Sequence, residues 1–489
     1  MTDFGAVPND DMSDKQALKL TIAAAQKFRL ANKGQGIIIY FGEGTFILHD
    51  QKDAASIDPN NKKQRNESQS IFVELSNLII KGARAKKTTL LSKVPLLAAD
   101  ESKIWTTPYL LKSERSFKQE LVGKITESYR GGSTMSVKVD VVKNLSAGDF
   151  IELVGTIKNE EKIKASVLPY ELEVNIATKK FIWTDLTEGL IKREKHKIVK
   201  IEGNTLYLST PIAHDIDSND DWKVNKIKPI EEFGVEDLTF AGNWHQDFVH
   251  HKNADHDGGF SLLELNNCTN SCVKNVTFKD FSRALNVSQC FNITLENITL
   301  EGKQGHQTVS VNHSNNVLSK NIFDNANGWH APGVSNYAVS NVYLNMTYHS
   351  TSMSDLHGKQ SMINLFDNTA GGWVLGRWGA ATINQPNHLG GLMYWNHKNT
   401  SVNTEKFKAM NPDSEYGRLI MPHLIGLHGN PLEFESQSSY AKSIKAQNKA
   451  EYKGMLSNEP QAYLESMGKP VWPQSLYEAQ YNYRKSLKK

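Results

Sequence analysis

Four hexads decide the fold: VKNVTF at Val273–Phe278, LENITL at Leu295–Leu300, LSKNIF at Leu318–Phe323 and VSNVYL at Val339–Leu344. Their starts lie 22, 23 and 21 residues apart, and a weaker copy, SMINLF, opens 22 residues later at Ser361. Each alternates apolar and polar residues and carries Asn near its third place, the pattern of a short strand running into a tight turn. Working outward, VEDLTF from Val235 and LSNLII from Leu75 belong to the same series. A period of about 22 residues is too short for a propeller blade, and the Leu-rich consensus of leucine-rich repeats is absent. What remains is a parallel β-helix, in which each coil contributes a short strand stacked on the next.

The series is interrupted between Leu75 and Val235. The gap holds hairpin-like stretches, SVKVDVVKNLSAGDFIELV and HKIVKIEGNTLYLSTPI, joined by a Lys- and Glu-rich segment, and reads as a β-rich insertion. Ahead of the coils, Leu18, Ile22 and Ala25 keep helical spacing, with Ser13 and Gln16 at capping-box distance, which predicts a helix from about Asp14 to Leu30. The expected organisation is an N-terminal capping helix and first coils over 1–95, the insertion over 96–230, the site-bearing coils over 231–435 and a helical tail over 436–489.

The chain has 489 residues, of which 39% are hydrophobic and 22% charged, enough apolar material for a large core. A net charge of +3 excludes a general nucleic-acid binder, and no apolar run is long enough for a membrane span. The N-terminus MTDFGAVPNDD has no signal-peptide pattern. Cys268, Cys272 and Cys290 are too few for a disulfide framework and are read as buried thiols.

The DFGA start, the downstream Asp and Ala-Leu, and the irregular coils together resemble the pectate-lyase-like right-handed parallel β-helix superfamily. The block running from His306 through GWHAPGVS and DLHGKQ to PNHLGGLMYWN resembles an uncharacterised bacterial branch of it. The superfamily includes polysaccharide lyases, glycoside hydrolases and phage tail-spike depolymerases. The resemblance therefore implies a carbohydrate-active enzyme on an acidic, uronate-containing or sulfated polysaccharide, secreted or periplasmic. It carries over no catalytic residue, because the polygalacturonase signatures are not recognisable.

Candidate residues come from the chain itself. Nine of the 16 histidines fall between His245 and His357. Counted from the hexad starts, Arg283, His306, His330 and His349 take nearly equal phase, which predicts one cationic column along the outside of the coils. His306 and His330 are the expected bases, since a neutral imidazole can take the C5 proton of a uronate, while Arg283 and His349 bind the acidic chain. In SDLHGKQ, alternation puts Asp355, His357 and Lys359 on one side, an acid and an imidazole for proton transfer beside an ammonium for substrate. Trp329 offers a face to a sugar ring, and Arg377, Trp378 and His388 are expected to close the groove. A hydrolase would instead need two flanking carboxylates, for which Asp324, Asp355 and Asp367 are the candidates. The His- and Asp-rich stretch from His245 to Asp257 reads as a polar rim loop, with no cofactor assigned and a divalent cation as its alternative. Elimination is the expected reaction, glycoside hydrolysis the alternative, and a non-catalytic glycan-binding β-helix the second alternative.

Overall fold

The computed structural model describes residues 1–113, 117–168, 184–374, 377–381, 384–402, 407, 419–433 and 462–487. Short parallel strands stack into two long sheets. The larger has 18 strands and includes Leu78–Lys81, Phe233–Glu236, Cys268–Lys279, Phe291–Glu301, Asn315–Asp324 and Val342–Thr347, each hydrogen-bonded to the next. The second runs Ile71–Phe72, Leu111–Lys112, Ser261–Asn266, Arg283–Ser288, Gln307–Asn312, Ala331–Ser335 and Ser354–Leu356. This is a parallel β-helix, and its core is the file of inward residues between the sheets.

That file sets the register. Val235, Val273, Leu295, Ser319, Tyr343, Phe366 and Tyr394 pair in succession and are all buried. A one-residue slip would bring Lys274 and Glu296 into the lumen in place of Val273 and Leu295, so the alternation fixes the pairing. At the wider end, Tyr343, Phe366 and Tyr394 stack at 5.0 and 4.8 Å between ring centroids.

The hexads form successive parallel strands, but not at a constant 22-residue phase. Val273 pairs with Leu295, whereas Leu295 pairs with Ser319 rather than Leu318, and Leu318 pairs with Val342 rather than Val339. The discrepancy comes from two kinds of Asn. Asp237, Asn275, Asn297, Asn321, Asn345 and Asn368 share a left-handed backbone with φ between 51° and 58°. Their side chains bond from coil to coil: Asn275 Nδ2 to Asp237 (3.0 Å), Asn297 to Asn275 (3.0 Å), Asn321 to Asn297 (3.0 Å), Asn345 to Asn321 (3.4 Å) and Asn368 to Asn345 (2.7 Å). Asn341, which the hexad count placed in this row, lies in a buried row instead, where its Nδ2 donates to Asn364 Oδ1 at 3.0 Å.

The helix Lys15–Ala31 covers the first coil with Leu18, Ile22 and Ala25 buried. The expected capping box is absent. Asp14 instead accepts from the amides of Val7 (2.9 Å) and Ile47 (3.1 Å), tying the N-terminal segment to the coil. The insertion is a six-stranded sheet from Gln119–Lys124 to Asp221–Ile227 with its own apolar core around Ile151, Leu206 and Trp222. Two boundaries differ from expectation. Leu111–Lys112 already belongs to the β-helix, a two-residue strand too short to show alternation. In the tail, Tyr463–Glu465 joins the large sheet ahead of the helix Leu476–Ser486; the part of the expected helical tail over 436–461 lies outside the described residues. Cys268 and Cys290 are buried thiols in adjacent coils, and Cys290 Sγ accepts from the Cys268 amide at 3.2 Å.

Two outcomes follow for stability. Asn321→Ala loses both ladder bonds and must hold a left-handed φ with a Cβ, so it should cost about 1–3 kcal/mol in chemical denaturation. Asn321→Gly, which tolerates the backbone, should cost less. The second outcome concerns acid. Burial pushes His49, His214, His313 and His388 down to about 4 and His397 to about 3, from an ordinary 6.5. Below pH 6.5 the unfolded chain takes up protons that the folded chain refuses, so stability falls as pH drops from about 6.5 to about 4. Thermal midpoints measured across that window should decline steadily, and His388→Gln should flatten the slope.

Candidate active site

Histidines gather where the second sheet's outer face meets the 243–254 loop. His306 follows Gly305 at the entrance to Gln307–Asn312, and His330 precedes Ala331–Ser335 one coil on. Both need a nearby glycine. A Cβ on Gly305 would strike the Phe281 carbonyl, and one on Gly328 would strike Thr308. The main chains are then locked, with the His330 amide donating to the His306 carbonyl at 2.9 Å. The rings of His306 and His330 sit 5.1 Å apart, and His357 lies 5.2 Å beyond His330. From the loop, His250 packs 5.3 Å from His306 and 5.4 Å from His330. His251 joins them, its Nδ1 2.7 Å from the buried carboxylate of Asp257.

Asp355 underlies the cluster. Its carboxylate is 3.5 Å from His330 Nδ1 and 3.2 Å from His357 Nδ1, and it accepts from the Gly379 amide at 3.1 Å. Burial opposes its charge, yet the two imidazoles outweigh burial and hold it well below the usual carboxylate range. The same pairing raises His357, again against burial. His306 goes the other way, held well below 6.5 by burial and by His330, and His250 falls to about 4 for the same reasons. Beside the imidazoles, Trp329 stacks on His250 at 4.8 Å, and the Arg377 guanidinium lies 4.2 Å from the indole centroid. Trp329 Nε1 and Arg377 Nε are buried donors with no protein partner among the described residues.

The structure brings together His306, His330, Asp355, His357, Trp329 and Arg377. It separates the rest. The predicted column is not one: Arg283 pairs in register with Gln307 and Gln307 with His330, so His306 sits one position off, because coil lengths vary. Arg283 is engaged structurally, with Nε on Ser261 Oγ (2.7 Å), its terminal amines on the Thr107 and Trp105 carbonyls, and its guanidinium 4.7 Å from the Tyr109 ring. His349 is exposed, and among the described residues its side chain bonds Thr351 while its carbonyl accepts from the Ser352 and Gly372 amides. Lys359 leaves the Asp355–His357 face because Gly358, Lys359 and Gln360 all take positive φ (72°, 55° and 61°), which ends the alternation. Trp378 and His388 are core residues, the latter bonded to Asn364 at 2.9 Å.

The carboxylates divide too. Asp324 is buried beneath the loop that carries Trp329, accepting from the amides of Ala326 (3.0 Å) and Gly328 (3.2 Å); burial pushes it up to about 7. Asp367 faces the C-terminal helix and accepts from Ser475 Oγ and the Tyr477 amide, both at 2.7 Å. His250 and His251 were within the loop read as a polar rim. Their density was visible in the sequence, but nothing in their spacing pointed at His306.

A protein-family profile described as a domain of unknown function (DUF4955) matches residues 327–457, the part that carries Trp329, His330, Asp355, His357 and Arg377. No curated protein matches the chain. Among solved structures, the tailspike of Pseudomonas phage phi297 is similar at TM-score 0.44 and 10% identity; the match covers 88% of this chain and 65% of the tailspike, so this chain spans under two thirds of it. The catalytic domain of a GH87 alpha-1,3-glucanase in complex with nigerose is similar at TM-score 0.36 and 12% identity, over 85% of this chain and 51% of that one. The surface adhesin PfbA of Streptococcus pneumoniae is similar at TM-score 0.34 and 11% identity, over 87% and 86%. Among the described residues, no helix is long and apolar enough to cross a membrane.

The contrast between buttress and rim is testable. Asp324→Ala orphans the loop amides beneath Trp329 and should lower unfolding free energy by about 1–3 kcal/mol. His349→Ala should change it by less than about 0.5 kcal/mol. Equal effects in denaturant titrations would mean that Asp324 does not hold the loop.

Proposed function

We propose that this chain cleaves an acidic polysaccharide by β-elimination at the cluster of His357, Trp329 and Arg377, and that it acts outside the cytoplasm. The observation that carries the reading is how the carboxylates are used. Hydrolysis needs two carboxyl groups flanking the scissile bond. Of the three candidates, Asp324 is spent on a loop and Asp367 on a helix, and Asp355 is engaged by two imidazoles. Imidazole is then the base at hand. The base takes the C5 proton, the C–H electron pair becomes the C4–C5 double bond, and the bond from C4 to the bridging oxygen breaks as that oxygen gains a proton.

His357 suits the proton transfer. Its Nδ1 is held by Asp355, which fixes the tautomer, and its ring is 39% exposed, more than that of His330 at 5%. Arg377 suits the uronate carboxylate. Its half-buried guanidinium lies 4.2 Å from the centre of the Trp329 ring, and neutralising the carboxylate eases loss of the adjacent proton.

Incubation with alginate, pectate, ulvan, carrageenans and glycosaminoglycans should yield products with both new reducing ends and the ultraviolet absorbance of an unsaturated sugar. Reducing ends alone would replace elimination with hydrolysis, and neither signal on any polymer, with binding retained, would leave a glycan-binding β-helix. His357→Ala should lower turnover by at least about 100-fold. Arg377→Ala should mainly raise KM, most visibly at low salt.

A further inference from the structure

We propose that His250, His306 and His330 form a binding site for one divalent transition-metal ion, zinc being the best match. Each offers a ring nitrogen, and the three nitrogens lie within 4.8 Å of one another. On one tetrahedral zinc, with Zn–N about 2.05 Å, ligand nitrogens are about 3.4 Å apart, so a shift of about 1 Å closes the set.

The hydrogen bonds point the same way. His306 Nδ1 faces the Asp257 carbonyl at 3.0 Å, which makes Nδ1 the protonated nitrogen and leaves a lone pair on Nε2. That Nε2 is buried and has no protein partner, and the same is true of His250 Nε2. His330 Nδ1 lies 3.5 Å from the Asp355 carboxylate, a charge contact rather than a hydrogen bond, so this ring too has a buried nitrogen without a hydrogen-bond partner among the described residues. Buried ring nitrogens without a hydrogen-bond partner are costly, and a metal ion would satisfy them.

Ligand type selects the ion. A set of three imidazoles disfavours calcium and magnesium, which want carboxylates and carbonyls, and favours zinc or its neighbours. Three protein ligands also leave a fourth position, as catalytic zinc sites do. What the ion does there, binding a sugar carboxylate, rests on the proposed cleavage; that it binds does not.

Binding is therefore read without substrate. The full chain, purified without chelator, should contain about one equivalent of metal by mass spectrometry. After EDTA treatment, with circular dichroism confirming the fold, calorimetric titration with zinc should give one site, and cobalt(II) should give the visible ligand-field bands of a four-coordinate nitrogen site. His306→Ala and His250→Ala should each weaken zinc by at least about 100-fold, and Asp355→Asn by about 10- to 100-fold. His349→Ala should leave affinity unchanged. Folded parent protein that takes up neither ion would overturn the site, as would binding that persists equally in His250→Ala, His306→Ala and His330→Ala. Normal metal binding with no polymer cleaved would leave the site standing and remove the cleavage reading alone.

Discussion

The row of left-handed turns from Asp237 to Asn368 is the constraint on which the rest depends. Each of the strands that carry Asn275, Asn297, Asn321 and Asn345 must bend sharply within its length, and the left-handed region permits that bend at low cost for Gly, Asn and Asp. Asn has a second use there, because its amide can donate to the coil below and accept from the coil above. The row therefore fixes which residue of each coil lies over which residue of the next. Once that is set, the buried file from Val235 to Tyr394 follows by alternation, and so does the face on which the histidines emerge.

The site is a product of that register together with one irregularity. His306 and His330 come from consecutive coils, held by main-chain bonds across two glycine-permitted close approaches. Asp355 and His357 arrive from the next coil. The lengthened stretch after Ala241 folds back and adds His250 and His251. Imidazoles from four places thus lie close to one another and to the carboxylates of Asp355 and Asp257.

A second buried polar cluster joins the insertion to the β-helix. Glu152 and Lys195, both nearly inaccessible, pair at 3.2 Å, and His313 of the β-helix bonds Glu152 at 2.9 Å. Burial alone would raise Glu152, but Lys195 and His313 more than reverse it. The amide of Asn315 closes the joint through two bonds to the Lys195 main chain, at 2.9 and 3.0 Å. Buried ion pairs of this kind contribute less to stability than to fixing how two surfaces meet.

Much of this was written in the chain. Alternating hexads at near-constant spacing determined a parallel β-helix, since only a period-two pattern recurring once per coil buries a continuous file. The histidine-rich window and Asp355 with His357 were legible from density and local alternation. Tertiary structure decided what depends on coil length and long-range contact. Because coils differ by a residue or two, counting from hexad starts set Asn341 in the wrong row, scattered the predicted column and left Arg283 and His349 outside the cluster. Lys359 turned away because three successive residues took positive φ, and His388, polar in sequence, became core by meeting Asn364. Above all, that His250 meets His306, 56 positions away, was fixed by a loop folding over the coils, and no local spacing encodes that.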